Sequence, residues 1–211
     1  MNSDEDCAAA GIARRSTGRT RQRPAVIRAA RVADAPQIAL VHVRSWQCAY
    51  RGLLPQVYLD GLDPVQRVGR WERSLAEATD GRDGVLVADA GGTLLGFVAY
   101  SPSRDGDADQ ARVGEIEAIY LLPSAWGNGV GRRLMDVALA RLAEARFDQV
   151  TLWVLDSNAR ARRFYEMGGW LADGAQKTEE SRGFPITQVR YKRTLMASGT
   201  GPVLSCLRHA A

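Results

Sequence analysis

Residues 127–133 read Gly-Asn-Gly-Val-Gly-Arg-Arg, three glycines at alternate positions with two cations behind them. From Val130 onward, Leu134, Val137, Ala138 and Leu142 recur at the spacing of one helical face, which predicts a helix with Gly127, Gly129 and Gly131 at its entry. Glycines there let successive N–H groups turn toward one point and let a bulky anion approach without meeting Cβ atoms. The positive end of the helix dipole adds to that field, so a phosphate or pyrophosphate is the expected occupant. Two familiar loops fail on register. A Walker loop needs Lys-Ser or Lys-Thr behind its last glycine, where this chain has Arg132-Arg133-Leu134. A dinucleotide fingerprint needs a third glycine three residues after the second, and the two available registers put Arg132 or Leu134 there. The triplet alone is equally compatible with a helix-entry turn that binds nothing.

Two further groups of residues could do chemistry. The segment before the loop, Gly114-Glu-Ile-Glu-Ala-Ile-Tyr-Leu-Leu122, has a strand pattern, and side-chain alternation sets Glu115 and Glu117 on one face of it. A carboxylate there could take a proton from an amine; it could also simply face solvent or pair with arginines. After the glycine helix comes a β-rich run, Gln149–Leu155, then Asp156-Ser157-Asn158 and a helix bearing Ala161, Phe164, Tyr165 and Gly168. The order is strand, anion turn, helix, strand, helix.

The stretches Leu121-Leu-Pro…Trp126-Gly-Asn-Gly-Val-Gly-Arg-Arg-Leu-Met and Asn158-Ala-Arg-Ala-Arg-Arg-Phe-Tyr165-Glu-Met-Gly-Gly-Trp170 together resemble the GCN5-related N-acetyltransferases. The resemblance covers about residues 26–194 and is strongest over 114–170. It implies a loop of form Arg/Gln-x-x-Gly-x-Gly that binds the pyrophosphate of acetyl coenzyme A through backbone amides of Gly127, Asn128, Gly129, Val130, Gly131 and Arg132. Trp126 stands at the first position of that pattern, a departure that removes a polar side chain from the mouth of the loop. Arg132 and Arg133 are candidate phosphate contacts or solvated charges of a helix's first turn.

The same resemblance implies that main-chain groups of Ile119, Tyr120 and Leu121 pair with the pantetheine arm. Asn158 either holds that arm or caps the helix behind it. Tyr165 matches the phenol that protonates the leaving thiolate, Glu115 is the preferred base, and Glu117 is a second base or an anchor for the substrate ammonium. The resemblance places Trp46, Tyr50, Arg51 and the Gly52-Leu-Leu-Pro55 turn near the acceptor amine, although Trp46 and Tyr50 could equally be core packing, the role expected first for Trp46. The implied activity is acetyl transfer from acetyl-CoA, as co-substrate and without a metal, to a primary amine of a small molecule by direct attack in a ternary complex. Alternatives are a protein N-terminal or lysine acetyltransferase and a non-catalytic acyl-CoA-binding domain.

Composition sets outer bounds. A chain of 211 residues, 45% hydrophobic and 25% charged, is enough for one globular domain. No apolar run approaches the ~20 residues of a spanning helix, and Met1-Asn-Ser-Asp-Glu-Asp is not a secretory start, so a cytoplasmic protein with no membrane partner is expected. Cys7, Cys48 and Cys206 are widely separated, suggest neither a metal site nor a disulfide framework, and Cys48 reads as a small buried apolar residue. Five arginines against three acids in residues 1–24, with Arg208 near the end, account for three of the four formal positive charges. The remainder is nearly neutral, so no nucleic-acid partner is expected; a homodimer is compatible with the sequence.

The expected organisation is a disordered arginine-rich extension over 1–24, an acetyltransferase domain over 25–195 and a flexible tail over 196–211. Within the domain we expect a strand at Val26–Arg31, a helix from Asp34, a second helix from about Pro64 to Ala78, and a hairpin of Gly84–Asp89 with Leu94–Ser101. Arg104–Arg112 reads as a polar loop. A strand beginning at Trp170 and another at Ile186–Thr194 are expected across a polar connection from about Asp173 to Pro185. This order argues a single-domain α/β fold, a central twisted mixed sheet flanked by helices, which is also the order of the acetyltransferase family.

Overall fold

The computed structural model describes residues 24–78, 81–180 and 183–195. The extension and tail expected at the two ends therefore lie outside the described residues, Pro24 excepted. Seven strands form one sheet in the order β1-β2-β3-β4-β5-β7-β6, with β1 Val26–Ala29, β2 Gly84–Asp89, β3 Leu94–Pro102, β4 Val113–Leu121, β5 Gln149–Leu155, β6 Leu171–Glu179 and β7 Ile186–Thr194. Five helices cover it: α1 Ala35–Ala49, α2 Gln56–Asp60, α3 Val65–Glu77, α4 Val130–Glu144 and α5 Ala159–Met167. All neighbours pair antiparallel except β4 with β5, which are parallel and joined through α4, as parallel strands require.

The two faces of the sheet are filled by sequence-local periodicities. On one face α4 buries Val130, Leu134, Met135, Ala138, Leu139 and Leu142 against Ile116, Val150, Leu152 and Trp170. On the other, Ile38 and Val41 of α1 pack on Val87, Phe97 and Ala99. Asp34 is the residue before α1, but its carboxylate reaches backward rather than capping the helix. It accepts from the Arg31 N–H at 2.7 Å and from the Arg28 guanidinium at 2.7 Å, and Arg28 lowers its pKa below the ordinary carboxylate value. Since Arg28 also bonds Asp89, this group ties β1 to the β2–β3 hairpin.

Three expectations need correction. A short helix, α2, lies between the two expected after β1; five residues are too few to show a helical period. The polar stretch from Asp173 is not a connection, because β6 runs on to Glu179. As the edge strand it pairs only with β7, so it needs no apolar faces, and it bulges between Ala172 and Gln176, where Asp173 turns to receive Arg190 at 2.8 Å. Cys48, expected to be buried, is half-buried.

Candidate active site

The sheet opens where the sequence placed its candidates. Parallel pairing of β4 with β5 holds from Val113↔Gln149 to Ile116↔Leu152 and then stops, although both strands continue. Residues 118–121 of β4 still pair with β3, and residues 153–155 of β5 still pair with β7. The strands therefore diverge, and one edge of β4 from Glu117 to Leu121 faces a cavity of about 650 Å³. An exposed edge of this kind presents N–H and C=O groups that an extended ligand can pair with.

A one-residue bulge starts the divergence. Ala99 opposes Ala118 and Tyr100 opposes Ile116, so Glu117 is the extra residue of β4. Strict alternation was the basis for setting the two glutamates on one face. The bulge breaks that alternation, yet both carboxylates reach the cavity and both meet Arg104. Their surroundings differ. Glu115 is 9% exposed, accepts a long bond of 3.4 Å from the Arg104 N–H, and burial raises its pKa above the ordinary value. Glu117 is exposed and forms an ion pair with the Arg104 guanidinium at 3.1 Å.

At the far end of β4 the chain turns through Pro123–Ala125 into the glycine loop. Gly127 and Gly129 adopt left-handed φ of 73° and 76°, with no atom within 4 Å of where a Cβ would lie. Gly129 is the N-cap of α4 and has no side chain to cap it, so the first N–H groups of the helix point out of its end without an internal acceptor. The third glycine works differently. Gly131 is helical, and a Cβ there would meet Leu121 at 3.3 Å and Phe164 at 3.6 Å, so its role is close packing of α4 on β4 and α5.

Ile119, Tyr120, Leu121, Gly127, Gly129, Gly131, Arg132, Asn158 and Tyr165 all line the cavity together with the two glutamates. The side chains of Asn128 and Val130 do not. Asn128 donates to the Ser124 carbonyl at 3.2 Å, and Val130 is buried in the core, so either could reach a ligand only through its backbone. Arg133 is turned away as well, donating to the Ala25 carbonyl at 2.8 Å.

Asn158 is 5% exposed, and its Oδ1 accepts from the Ala161 N–H at 3.1 Å, so it does cap α5. Tyr165 is buried against Phe164, Trp170 and Tyr191, and desolvation raises its phenol pKa, with the neighbouring Tyr120 adding to the shift. On the other side of β4, Trp46 packs edge-on against Tyr50 and Tyr120 and forms part of the wall. Tyr58 of α2 meets Phe184, just before β7, with ring centroids 5.1 Å apart, in the apolar cluster that also takes in Trp46 and Tyr50.

Several lining residues escaped the sequence reading. Trp153 carries the Lys177 ammonium over its ring at 4.3 Å, and Lys177 also meets Glu179 at 3.6 Å. These two charges belong to the part of β6 that read as a connection. Arg160 lies over the Trp126 ring, and only its place one residue into the α5 cap motif could have drawn notice.

A family model described as the acetyltransferase (GNAT) family matches residues 43–169. An uncharacterized N-acetyltransferase of Bacillus subtilis, YuaI, is 34% identical over 185 residues, 86% of this chain and 95% of that protein. An uncharacterized N-acetyltransferase of Archaeoglobus fulgidus is 37% identical over 123 residues, 58% of this chain and 80% of its own. Among solved structures, YncA from Salmonella typhimurium with its cofactor acetyl-CoA superposes with TM-score 0.60 at 18% identity, covering 85% of this chain and 98% of that one. The PaiA N-acetyltransferase of Thermoplasma acidophilum in complex with coenzyme A gives TM-score 0.59 at 19% identity, covering 81% and 98%.

Proposed function

This chain belongs to the acetyltransferase (GNAT) family, and from that premise we propose that residues 25–195 transfer an acetyl group from acetyl-CoA to the primary amine of a small molecule. The observation that carries this reading is the parting of β4 from β5 after Ile116 and Leu152, with uncapped left-handed glycines at one end of the gap and Glu115 and Tyr165 on its walls. Those elements suit the coenzyme. The N–H groups at the start of α4, with Arg132 beside them, would hold its pyrophosphate, and the free edge at Ile119–Leu121 would pair with its pantetheine amides. Bound acetyl-CoA would supply the activated thioester.

The chain's own residues then have three tasks. An amine is protonated at neutral pH and must lose that proton before it can attack. Glu115 suits this better than Glu117: its raised pKa makes it a stronger base, whereas Glu117 is open to water and neutralised by Arg104. The departing thiolate needs a donor, and the buried Tyr165 phenol stays protonated throughout the working range. Because the shift also weakens it as an acid, its contribution is a hydrogen bond to the developing thiolate that becomes proton transfer as the same dry environment raises the thiol pKa. The third task is orientation. Direct attack in a ternary complex gains most of its rate from holding amine and thioester together.

A small acceptor is favoured over a protein chain by the aromatic wall that Trp46 and Tyr50 give the cavity, backed by an apolar cluster that includes the Tyr58–Phe184 contact. Incubating the protein with acetyl-CoA and panels of amino acids, polyamines, aminoglycosides and peptides, with free thiol as the readout, tests this. Turnover on peptides alone would reverse the acceptor class, and coenzyme binding without turnover on any panel would favour a non-catalytic acyl-CoA-binding domain.

A further inference from the structure

We propose that Arg160, held flat on the Trp126 indole across the mouth of the parted strands, binds the pyrophosphate of the coenzyme and supplies the cation that the loop itself lacks at Trp126. This rests on the coenzyme reading above. The guanidinium carbon is 3.6 Å from the Trp126 ring centroid, a stacked contact. Trp126 follows the end of β4 by five residues and Arg160 lies in the first turn of α5 after β5, so the stack links the ends of two strands that no longer pair. Both side chains line the same cavity as Gly127, Gly129 and Gly131.

The platform is fixed from behind. The Trp126 Nε1–H donates to the Leu121 carbonyl at 3.1 Å, which holds the indole in one orientation at the base of the loop. A guanidinium lying on an aromatic face keeps its N–H donors in the ring-parallel plane, free at the edges for a phosphate's oxygens. Three other arginines near the site are committed elsewhere, Arg133 to the Ala25 carbonyl, Arg162 to Asp156 and the Tyr191 hydroxyl, and Arg193 to the Gly168 carbonyl, which leaves Arg132 on the loop and Arg160 opposite it. Arg160 has no carboxylate within ion-pair distance among the described residues. Its charge is thus available where the backbone cradle is built for an anion.

Calorimetric titration of the full chain with coenzyme A and with 3′-dephospho-coenzyme A, at two salt concentrations, tests the assignment. Arg160 is exposed at a helix start, so Arg160→Gln should keep the wild-type melting temperature. It should weaken both ligands by roughly 10- to 100-fold, the worth of a hydrogen bond to a charged group, and flatten the salt dependence of binding. Arg160→Lys, which keeps charge but loses the planar stack, should fall between. Loss confined to coenzyme A would assign Arg160 to the 3′-phosphate instead and overturn the pyrophosphate contact. Equal affinity of Arg160→Gln and wild type, or loss with unchanged salt dependence, would overturn the proposal while leaving coenzyme binding intact. Failure of the wild-type protein to bind either ligand would overturn the coenzyme reading itself.

Discussion

Replacing Gly129 by alanine separates backbone strain from ligand contact. Gly129 holds φ of 76°, and a Cβ there would meet nothing within 4 Å, so the substitution introduces no clash in the free protein. What it introduces is the left-handed penalty of an L residue, about 1–2 kcal/mol. For a domain of this size that corresponds to a fall in Tm of roughly 2–8 °C. Gly92, in the turn between β2 and β3, is a matched control: its φ is 96°, its Cβ position is equally open, and it does not line the cavity. Gly92→Ala should therefore lose similar stability and no coenzyme affinity. Gly129→Ala should in addition re-aim the first N–H groups of α4. Each charge-assisted bond lost costs about 1.5–3 kcal/mol, so coenzyme A should bind at least about tenfold more weakly. Thermal melts and calorimetric titration of the two variants read both quantities. A folded Gly129→Ala protein with wild-type affinity, or a Gly92→Ala protein that loses as much, would refute the cradle.

Glu115→Gln should lower kcat/KM most at neutral and acidic pH and recover in part as pH rises and free amine accumulates; if that rescue appears in Glu117→Gln instead, the base is Glu117. The same variant has a stability signature. The folded-state pKa of Glu115 is raised above 4.5, so between 4.5 and that raised value the folded state holds more protons than the unfolded one and wild-type stability falls as pH rises. The Tm of Glu115→Gln relative to wild type should accordingly be higher at pH 7 than at pH 4. Tyr165→Phe should reduce kcat by roughly 10²–10⁴ with little change in coenzyme affinity, and an unchanged kcat would remove the phenol from the mechanism. Asn158→Ala deletes the α5 cap and should cost about 1 kcal/mol of stability. A rise in KM for acetyl-CoA beyond that loss would show the amide also holding the coenzyme, and an unchanged KM would limit Asn158 to capping.

Much of this architecture is legible residue by residue because its causes are local. The apolar period beginning at Val130 yields α4, the β-rich run Gln149–Leu155 is β5 to the residue, and the left-handed glycines at a helix entry follow from which residue can adopt that φ. The family resemblance through the Gly127–Arg132 loop and the Asn158–Tyr165 helix reads the same local signals. Contacts between distant segments are another matter. Polar Leu171–Glu179 is a strand only because β7 pairs with it, and Glu117 is a bulge only because β3 arrives in that register. Arg133 reads from sequence as either a phosphate contact or a solvated charge, and a carbonyl 108 positions away claims it, while Arg160 gains its place from a tryptophan across the cleft. The sequence by itself determined the strongly periodic elements, where the glycine turn lies and which acids and phenol are available, because dihedral preference and hydrophobic period act within a few residues. Tertiary structure alone decided that β4 and β5 separate after Ile116 and Leu152, since strand pairing is a bargain between remote backbones, and that separation turns a row of candidate residues into the walls of one cavity.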